Sequence, residues 1–338
     1  MKLPAFILKR ALMGVIVLVG LSVAVFAIAR IVPGDPARLA LGATASDAAL
    51  ETFRQENHLH EALPVQYAYW IGGVLHGDFG VSTGTKRPVA QDIREFLPAT
   101  LEMALIAALM LVAFSIAVGS LAARKRDTAI DGAIRIISYV GVAMPGFVVA
   151  TMLVLLFGNV WKVIPVLYRL DPGMAPPRTL TGFYGIDALA RGQLAVFANS
   201  ILHLLAPALA LCLAGLCQEA RLVRSTMIEN DSRDFMAAMR GYGVPERVLH
   251  DKYLLKLSLI PAVSCMGMDV ASLMSNAFLI EVIFGWPGIS RYGMTAMLAK
   301  DLNAISGVIM VFGAMFVIVN IIVDVVVAWL DPRIRLEG

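Results

Sequence analysis

Four runs along the chain carry no charged side chain and are near or above the length that crosses hydrocarbon, about 20 residues: Ala11–Ala29, Met103–Ala123, Ile136–Val160 and Ile305–Val323. Two more are interrupted only lightly. Ile201–Gln218 holds His203 and Pro207, and Leu257–Ile280 holds Asp269; lone polar groups of this kind are tolerated where they face a helix bundle rather than lipid. The pattern predicts an all-α polytopic membrane protein with six transmembrane helices and both termini on one side. Three polar stretches separate the spans. Residues 30–102 form a large exterior segment opened by the turn-like Pro33-Gly34-Asp35-Pro36, with a helix over Gln66–Val74 and then Gly77-Asp78-Phe79-Gly80. Residues 161–200 are rich in Pro and Gly around Asp171–Arg178, and residues 219–256 form the third loop. The chain thus divides into 1–102, the first span with its exterior loop, and 103–338, a core of five spans.

Charge gives the orientation. Of 28 Lys+Arg, 16 fall before the first span, between the second and third, in 219–256 and after the sixth, on about half as much chain as holds the other 12. Basic residues mark the cytoplasmic side, so the termini and the 219–256 loop are expected there. Lys9-Arg10, an apolar run and Ala27-Ile28-Ala29 also imitate a cleaved secretory signal, but the run exceeds the usual 7–15 residue core and is expected to stay. Composition agrees with membrane residence: 59% hydrophobic, 16% charged, mean hydropathy +0.77. A net charge of +3, dispersed along the chain, excludes the clustered basic face of a nucleic-acid binder. Cys212, Cys217 and Cys265 lie in apolar stretches without zinc or redox spacing and read as packing residues. His58-x-His60 reads as an ordinary surface pair rather than a nickel site.

The 219–256 loop is the most informative stretch. Asp231-Ser232 is placed to cap a helix, Asp234 adds charge to its first turn, and Phe235, Met239 and Tyr242 recur as one apolar stripe. Gly241 and Gly243 end that helix, and Pro245 opens a second one through Glu246, Val248 and Leu249. Ala237, Ala238, Gly241 and Gly243 leave a surface with little side chain, flanked by Arg240, Glu246 and Arg247 as charged anchors. Such a surface suits mechanical contact with a cytoplasmic partner; an amphipathic helix lying on the inner leaflet has a similar pattern.

Asp234–Gly243 followed by Pro261 resembles the cytoplasmic signature loop of ABC-importer permeases of the dipeptide/oligopeptide/nickel group. The likeness runs along nearly the whole chain: Pro33–Pro36, Gln66–Ser82, Pro98-Ala99-Thr100-Leu101-Glu102, Arg224–Glu229, Glu281–Arg291 with Trp286-Pro287-Gly288, and Asp331-Pro332-Arg333-Ile334-Arg335 follow the family pattern in order. Tyr242 stands where relatives usually carry a basic residue. The loop Leu180–Asp187 looks like that of dipeptide permeases, including those for D-Ala-D-Ala-type dipeptides, more than that of nickel permeases. The resemblance implies a type I importer fold and a non-catalytic subunit of the bacterial inner membrane. It implies as partners a second, similar permease, two cytoplasmic ATPases and a periplasmic or lipid-anchored substrate-binding protein, with ATP and Mg²⁺ held by the ATPases and no cofactor in this chain. The chain itself has no Gly-x-x-x-x-Gly-Lys-Ser/Thr phosphate loop. A nickel-chelate permease and an ion-coupled secondary carrier are the other readings; the carrier would show inverted repeats with broken helices, and the two halves do not mirror one another. A membrane-embedded enzyme would need a converging catalytic constellation at membrane depth, and none is recognisable.

Ionisable groups within spans mark pathways or buried pairs. Asp269, Asn276 and Glu281 on the fifth span are the candidate pathway residues. Asp269 stands where relatives often carry Gln; a carboxylate there suits a helix–helix hydrogen bond, and also the α-amino group of a passing peptide. Glu281, with Glu102 and Asp324, also has a structural reading: pairing with helix ends or with the partner permease. Phe284-Gly285-Trp286-Pro287 is expected to shape an exterior interfacial turn.

Overall fold

The structure, a computed structural model, describes residues 3–31, 37–38, 42, 45–56 and 58–330; Pro33–Pro36 and Asp331–Arg335 lie outside them. Among the described residues there is no sheet, only an isolated bridge between Val81 and Pro88. The helices are α1 (Leu3–Ile31), α2 (Asp47–Glu56), α3 (Leu63–Leu75), α4 (Val89–Arg124), α5 (Ala129–Ala143), α6 (Gly146–Leu153, continued by a π-helical stretch Val154–Val160), α7 (Tyr184–Ala190), α8 (Leu194–Asp231), α9 (Asp234–Gly241), α10 (Leu255–Ile283), α11 (Ile289–Leu298) and α12 (Leu302–Leu330). A helical turn Glu246–Val248 and a π-helical turn Leu249–Leu254 lead without a break into α10.

Five of the expected spans are single helices long and apolar enough to cross a bilayer: α1, α4, α8, Glu246–Ile283 and α12. The third is not. Ile136–Val160 is broken into α5 and α6, which meet at 107°. Pro145 supplies no backbone N–H and pushes the residue before it out of the helical region; Met144 accordingly sits at φ −85°, ψ 122°. The spans also run further than the apolar runs that announced them. α4 starts at Val89, so residues 89–102 of the predicted N-terminal segment belong to it. α8 continues to Asp231, so the predicted loop 219–256 narrows to Ser232–Pro245 around α9.

α8 is the central element. It lies along α4 and also touches α5, α6, α7 and α10. Between helices in lipid, apolar burial supplies little drive, and association rests on close packing and polar contacts. Both are present. Gly119 of α4 lies so near α8 that a Cβ there would come within 2.5 Å of the Ala220 carbonyl oxygen. Asp131 at the start of α5 accepts a two-pronged bond from Arg224 of α8, at 2.6 and 2.8 Å. Cys212 and Cys217 are buried in the core and Cys265 is half-buried. α1 is peripheral, packed on α12 and α3, and otherwise presents Leu8, Leu12, Ile16 and Val23 outward. Its Arg10 pairs with Asp324 of α12 at 3.1 Å.

The helix ends opposite α9, expected to be exterior, are locked by carboxylates. Glu102 of α4 accepts from the Gly185 N–H at 2.7 Å, in the first turn of α7, and from Arg169 Nη2 at 2.5 Å. Arg169 also donates to the Gly182 carbonyl and lies over the Tyr184 ring, 3.4 Å from its centroid. Next to it, Asp187 accepts from the Thr181 hydroxyl and from the N–H groups of Leu180, Thr181 and Gly182. Burial alone would raise this carboxyl, but those donors outweigh it and hold it below the ordinary carboxylate range. The turn after α10 packs its two large rings inward. Phe284 and Trp286 are sealed in the core, and the indole N–H donates to the Ala99 carbonyl at 2.9 Å. Gly285, at φ +62°, turns the chain so that Trp286 folds back onto α4.

Arg169→Met strips Glu102 of its counter-charge while leaving it buried, a change that costs about 3–5 kcal/mol. A fall in the thermal midpoint of the purified transporter, with no such fall for Arg178→Met in the exposed loop, is the expected outcome.

Candidate functional site

Two features stand apart from ordinary bundle packing: an elbow beyond the end of α8 and a polar stripe on α10. The elbow is built by α8, whose 38 residues make it about 57 Å long at 1.5 Å per residue, longer than the bilayer core requires. At its end Ser232 Oγ donates back to the Glu229 carbonyl at 2.7 Å, and Asp231 accepts from Arg240 Nη2 at 2.5 Å. Neither side chain is left to cap α9, contrary to the expectation from Asp231-Ser232; Arg233 occupies the cap position without a side-chain bond. Arg240 Nε reaches on to Glu246 Oε1 at 2.8 Å. One guanidinium thus ties the end of α8 to the start of the returning helix, and Glu246 first and Asp231 second hold it above its ordinary pKa. Two of the three anchors expected to meet a partner, Arg240 and Glu246, are paired with each other, while Arg247 is exposed beside Asp251 at 3.8 Å.

That tether also sets the rotation of α9. The expected stripe Phe235/Met239/Tyr242 is not the buried one. Met236 is sealed and Met239 and Val244 pack beside it against the core, whereas Phe235 is exposed and Tyr242 is 88% exposed. The outward surface includes Asp234, Ala237, Ala238, Gly241, Gly243, Pro245 and Glu246, together with the Phe235 and Tyr242 rings. Gly243 sits at φ +79°, where a side chain is strained, and Gly241 is helical with open space around its Cα.

On α10, Asp269, Ser272 and Asn276 recur at i, i+3 and i+7 and so share one side of the helix; Asp269 and Ser272 are half-buried and Asn276 is exposed. Opposite Asp269 stands Glu219 of α8, which the sequence reading placed in a loop. It is fully buried, and neither of its carboxylate oxygens has a hydrogen-bond partner among the described residues. Gly215 makes the approach possible, since a Cβ there would lie 3.0 Å from Asp269 Oδ2. The signal that could have found Glu219 is the apolar spacing Leu216, Ala220, Val223, Met227, which continues the α8 pattern past Gln218 and puts residue 219 inside the helix. Glu281 is elsewhere: fully buried at the exterior end of α10, it accepts from Thr100 Oγ1 at 2.5 Å and from the Arg291 N–H at 2.8 Å. The structure does not bring it together with Asp269 and Asn276. His58 and His60 do not converge either: His58 stacks on Tyr69, and His60 pairs with Glu51.

A bundle of long apolar helices, with an exposed elbow between two of them and a polar stripe at membrane depth, defines a multi-pass transport subunit. Residues 115–336 match the family described as binding-protein-dependent transport system inner membrane component, and residues 3–104 match its N-terminal membrane component. The chain belongs to this family, and its all-helical architecture is the type I importer permease fold. It is 38% identical to the probable D,D-dipeptide transport system permease protein DdpB of Escherichia coli K12, over 96% of this chain and 95% of that protein. It is 32% identical to the dipeptide transport system permease protein DppB of Alkalihalophilus pseudofirmus, over 98% and 99% of the two chains, and 30% identical to DppB of E. coli K12, over 98% of each.

The contrast between the two elbow glycines is testable. Gly243→Ala forces a left-handed alanine, at about 1–2 kcal/mol, and hydrogen exchange across residues 232–248 is expected to quicken; Gly241→Ala gains helix propensity and is expected to slow it or leave it unchanged.

Proposed function

We propose that this chain is one of two permease subunits of an ATP-driven importer of dipeptides or short peptides in a bacterial inner membrane, with both termini cytoplasmic. Two cytoplasmic ATPases, which bind the ATP and Mg²⁺, seat against the α9 elbow. A second, similar permease completes the pathway, and an exterior binding protein delivers the cargo. The chain itself catalyses nothing. The observation that carries this reading is the elbow: small, exposed side chains between two long helices, fixed in place by the Asp231–Arg240–Glu246 bridge. A partner's groove approaches the backbone closely at Ala237, Ala238, Gly241 and Gly243, and its movement reaches α8 and α10 directly, because both helices end at the contact. Switching between two discrete packings of such helices is a known device of gated proteins.

The polar stripe supports the rest. Asp269, Ser272 and Asn276 are costly toward lipid and belong against a wet path or the second permease. Asp269, backed by Glu219 with no cationic side chain between them, presents negative charge to the ammonium group of a peptide. The D,D-dipeptide and dipeptide cargoes named for the relatives fit that chemistry.

Ala237→Trp puts a bulky ring on the exposed elbow without touching the core. Reconstituted with partner ATPases, it is expected to lose uptake and substrate-stimulated ATP hydrolysis by about tenfold or more, a loss of about 1.4 kcal/mol or more of coupling, at an unchanged thermal midpoint. Unchanged uptake and hydrolysis would remove the elbow as the docking element. Asp269→Asn is expected to weaken uptake of dipeptides with a free amino terminus more than that of N-acetylated ones; equal loss for both assigns Asp269 to helix packing.

A further inference from the structure

The exterior helix α3 has its polarity inside out. Across Leu63–Leu75 the one side chain bearing an amide or a charge is Gln66, and it is buried, donating to the carbonyls of Glu61 at 2.8 Å and Leu59 at 3.2 Å. The outward face is apolar: Pro64 and Ala68 are exposed, with Val65 at 40%, Tyr69 at 57% and Leu75 at 79%. A helix facing water shows the opposite arrangement.

Its depth is fixed by α1. The Tyr67 hydroxyl hydrogen-bonds Ser22 Oγ at 2.8 Å, and the Tyr67 and Trp70 rings pack on Phe26 with centroids 5.4 and 5.8 Å away. α1 has 29 residues, about 43 Å at 1.5 Å per residue. Centring a hydrocarbon layer of about 30 Å on it puts the outer boundary near Phe26 and Ser22 about 7 Å inside. Tyr67 therefore reaches below the boundary, and the aromatic rings of α3 lie at the level where Tyr and Trp collect. On α1, the helix it packs against, Val19, Val23 and Ile28 also point outward, while Glu61 before α3 and Asp78 after it are exposed.

We propose that α3 is immersed in the outer leaflet, its Pro64–Leu75 face covered by phospholipid acyl chains, and that it anchors the exterior segment to the bilayer surface. The occupant is lipid because the face bears no Lys, Arg, Asp or Glu, with only the His58 ring stacked on Tyr69, and because α3 is held at hydrocarbon depth by a hydrogen bond to α1 within this chain. An interfacial helix gains its binding from the apolar area it buries in this way.

The test uses the assembled transporter in lipid nanodiscs, with Cys212, Cys217 and Cys265 replaced by alanine and an environment-sensitive fluorophore on single cysteines. Val65→Cys and Tyr69→Cys probe the face; Ile16→Cys on α1 is the lipid reference and Glu61→Cys the water reference. Brominated acyl chains are expected to quench positions 65 and 69 to within about twofold of position 16, and aqueous iodide to quench them less than position 61. Iodide quenching equal to that at position 61 would overturn the proposal by placing the face in water. Protection from both quenchers would overturn it by placing a protein there. The two positions are read separately, so failure of one variant to assemble leaves the other to decide.

Discussion

A carboxylate buried among helices at membrane depth has no water to fall back on, so it persists only while each of its partners stays in place. Glu281 carries that constraint for the exterior half of the protein. Its oxygens take the Thr100 hydroxyl of α4 and the Arg291 N–H of α11, and Thr100 in turn accepts from the Ile289 N–H at 2.8 Å. Gly288 is obligatory beside it, because a Cβ there would fall 2.3 Å from Glu281 Oε1. Two residues along α4, Glu102 holds Arg169 and the first turn of α7, and one residue back the Ala99 carbonyl holds the Trp286 indole. One turn of α4 therefore fastens α7, α10, α11 and the loop between residues 169 and 187 into a body that cannot yield at one contact without exposing a buried charge.

The inner half is fastened differently. Thr226 and Asn230 near the end of α8 donate to the Ser258 carbonyl and hydroxyl of α10, Arg124 at the end of α4 pairs with Asp251, and Arg240 bridges Asp231 to Glu246. Several of these contacts are open to solvent, where ion pairs are individually weak. Their arrangement matters more than their strength: they tie the ends of α4, α8 and α10 around the elbow.

How much of this was written in the sequence depends on the kind of signal. Long apolar runs announce spans, and the runs at 11–29, 103–123 and 305–323 became α1, α4 and α12. Local composition does not report direction. Ile136–Val160 is as apolar as any span, yet Pro145 turns it through 107°, and nothing in its hydropathy distinguishes a bend from a straight crossing. The glycine break after α9 was legible because Gly243 needs a left-handed backbone; the rotation of α9 was not, because it is set by Arg240 reaching two residues outside the helix. Partners distant in sequence were invisible for the same reason. Glu102 could be recognised as a carboxylate needing an ion or a helix end, but Arg169, 67 residues away, carries no mark of being its partner. Glu219 was missed because a charged residue next to a basic stretch reads as loop, although the buried spacing of its neighbours continues the helix.

Between the two fastened ends lies the level of Asp269 and Glu219, and the two helices that meet there are each weakened once. Pro207 interrupts the hydrogen-bond ladder of α8 on the side of Glu219 away from the elbow, and Pro261 interrupts that of α10 on the side of Asp269 toward it. A proline inside a helix removes a bond and favours a kink. The π-helical turn Leu249–Leu254 adds a further irregular step between the elbow and α10. The carboxyl pair thus sits between two bending points on opposite sides of it, one on each helix. With the Glu281 and Glu102 contacts costly to break at one end, these prolines are where the two helices bend most readily.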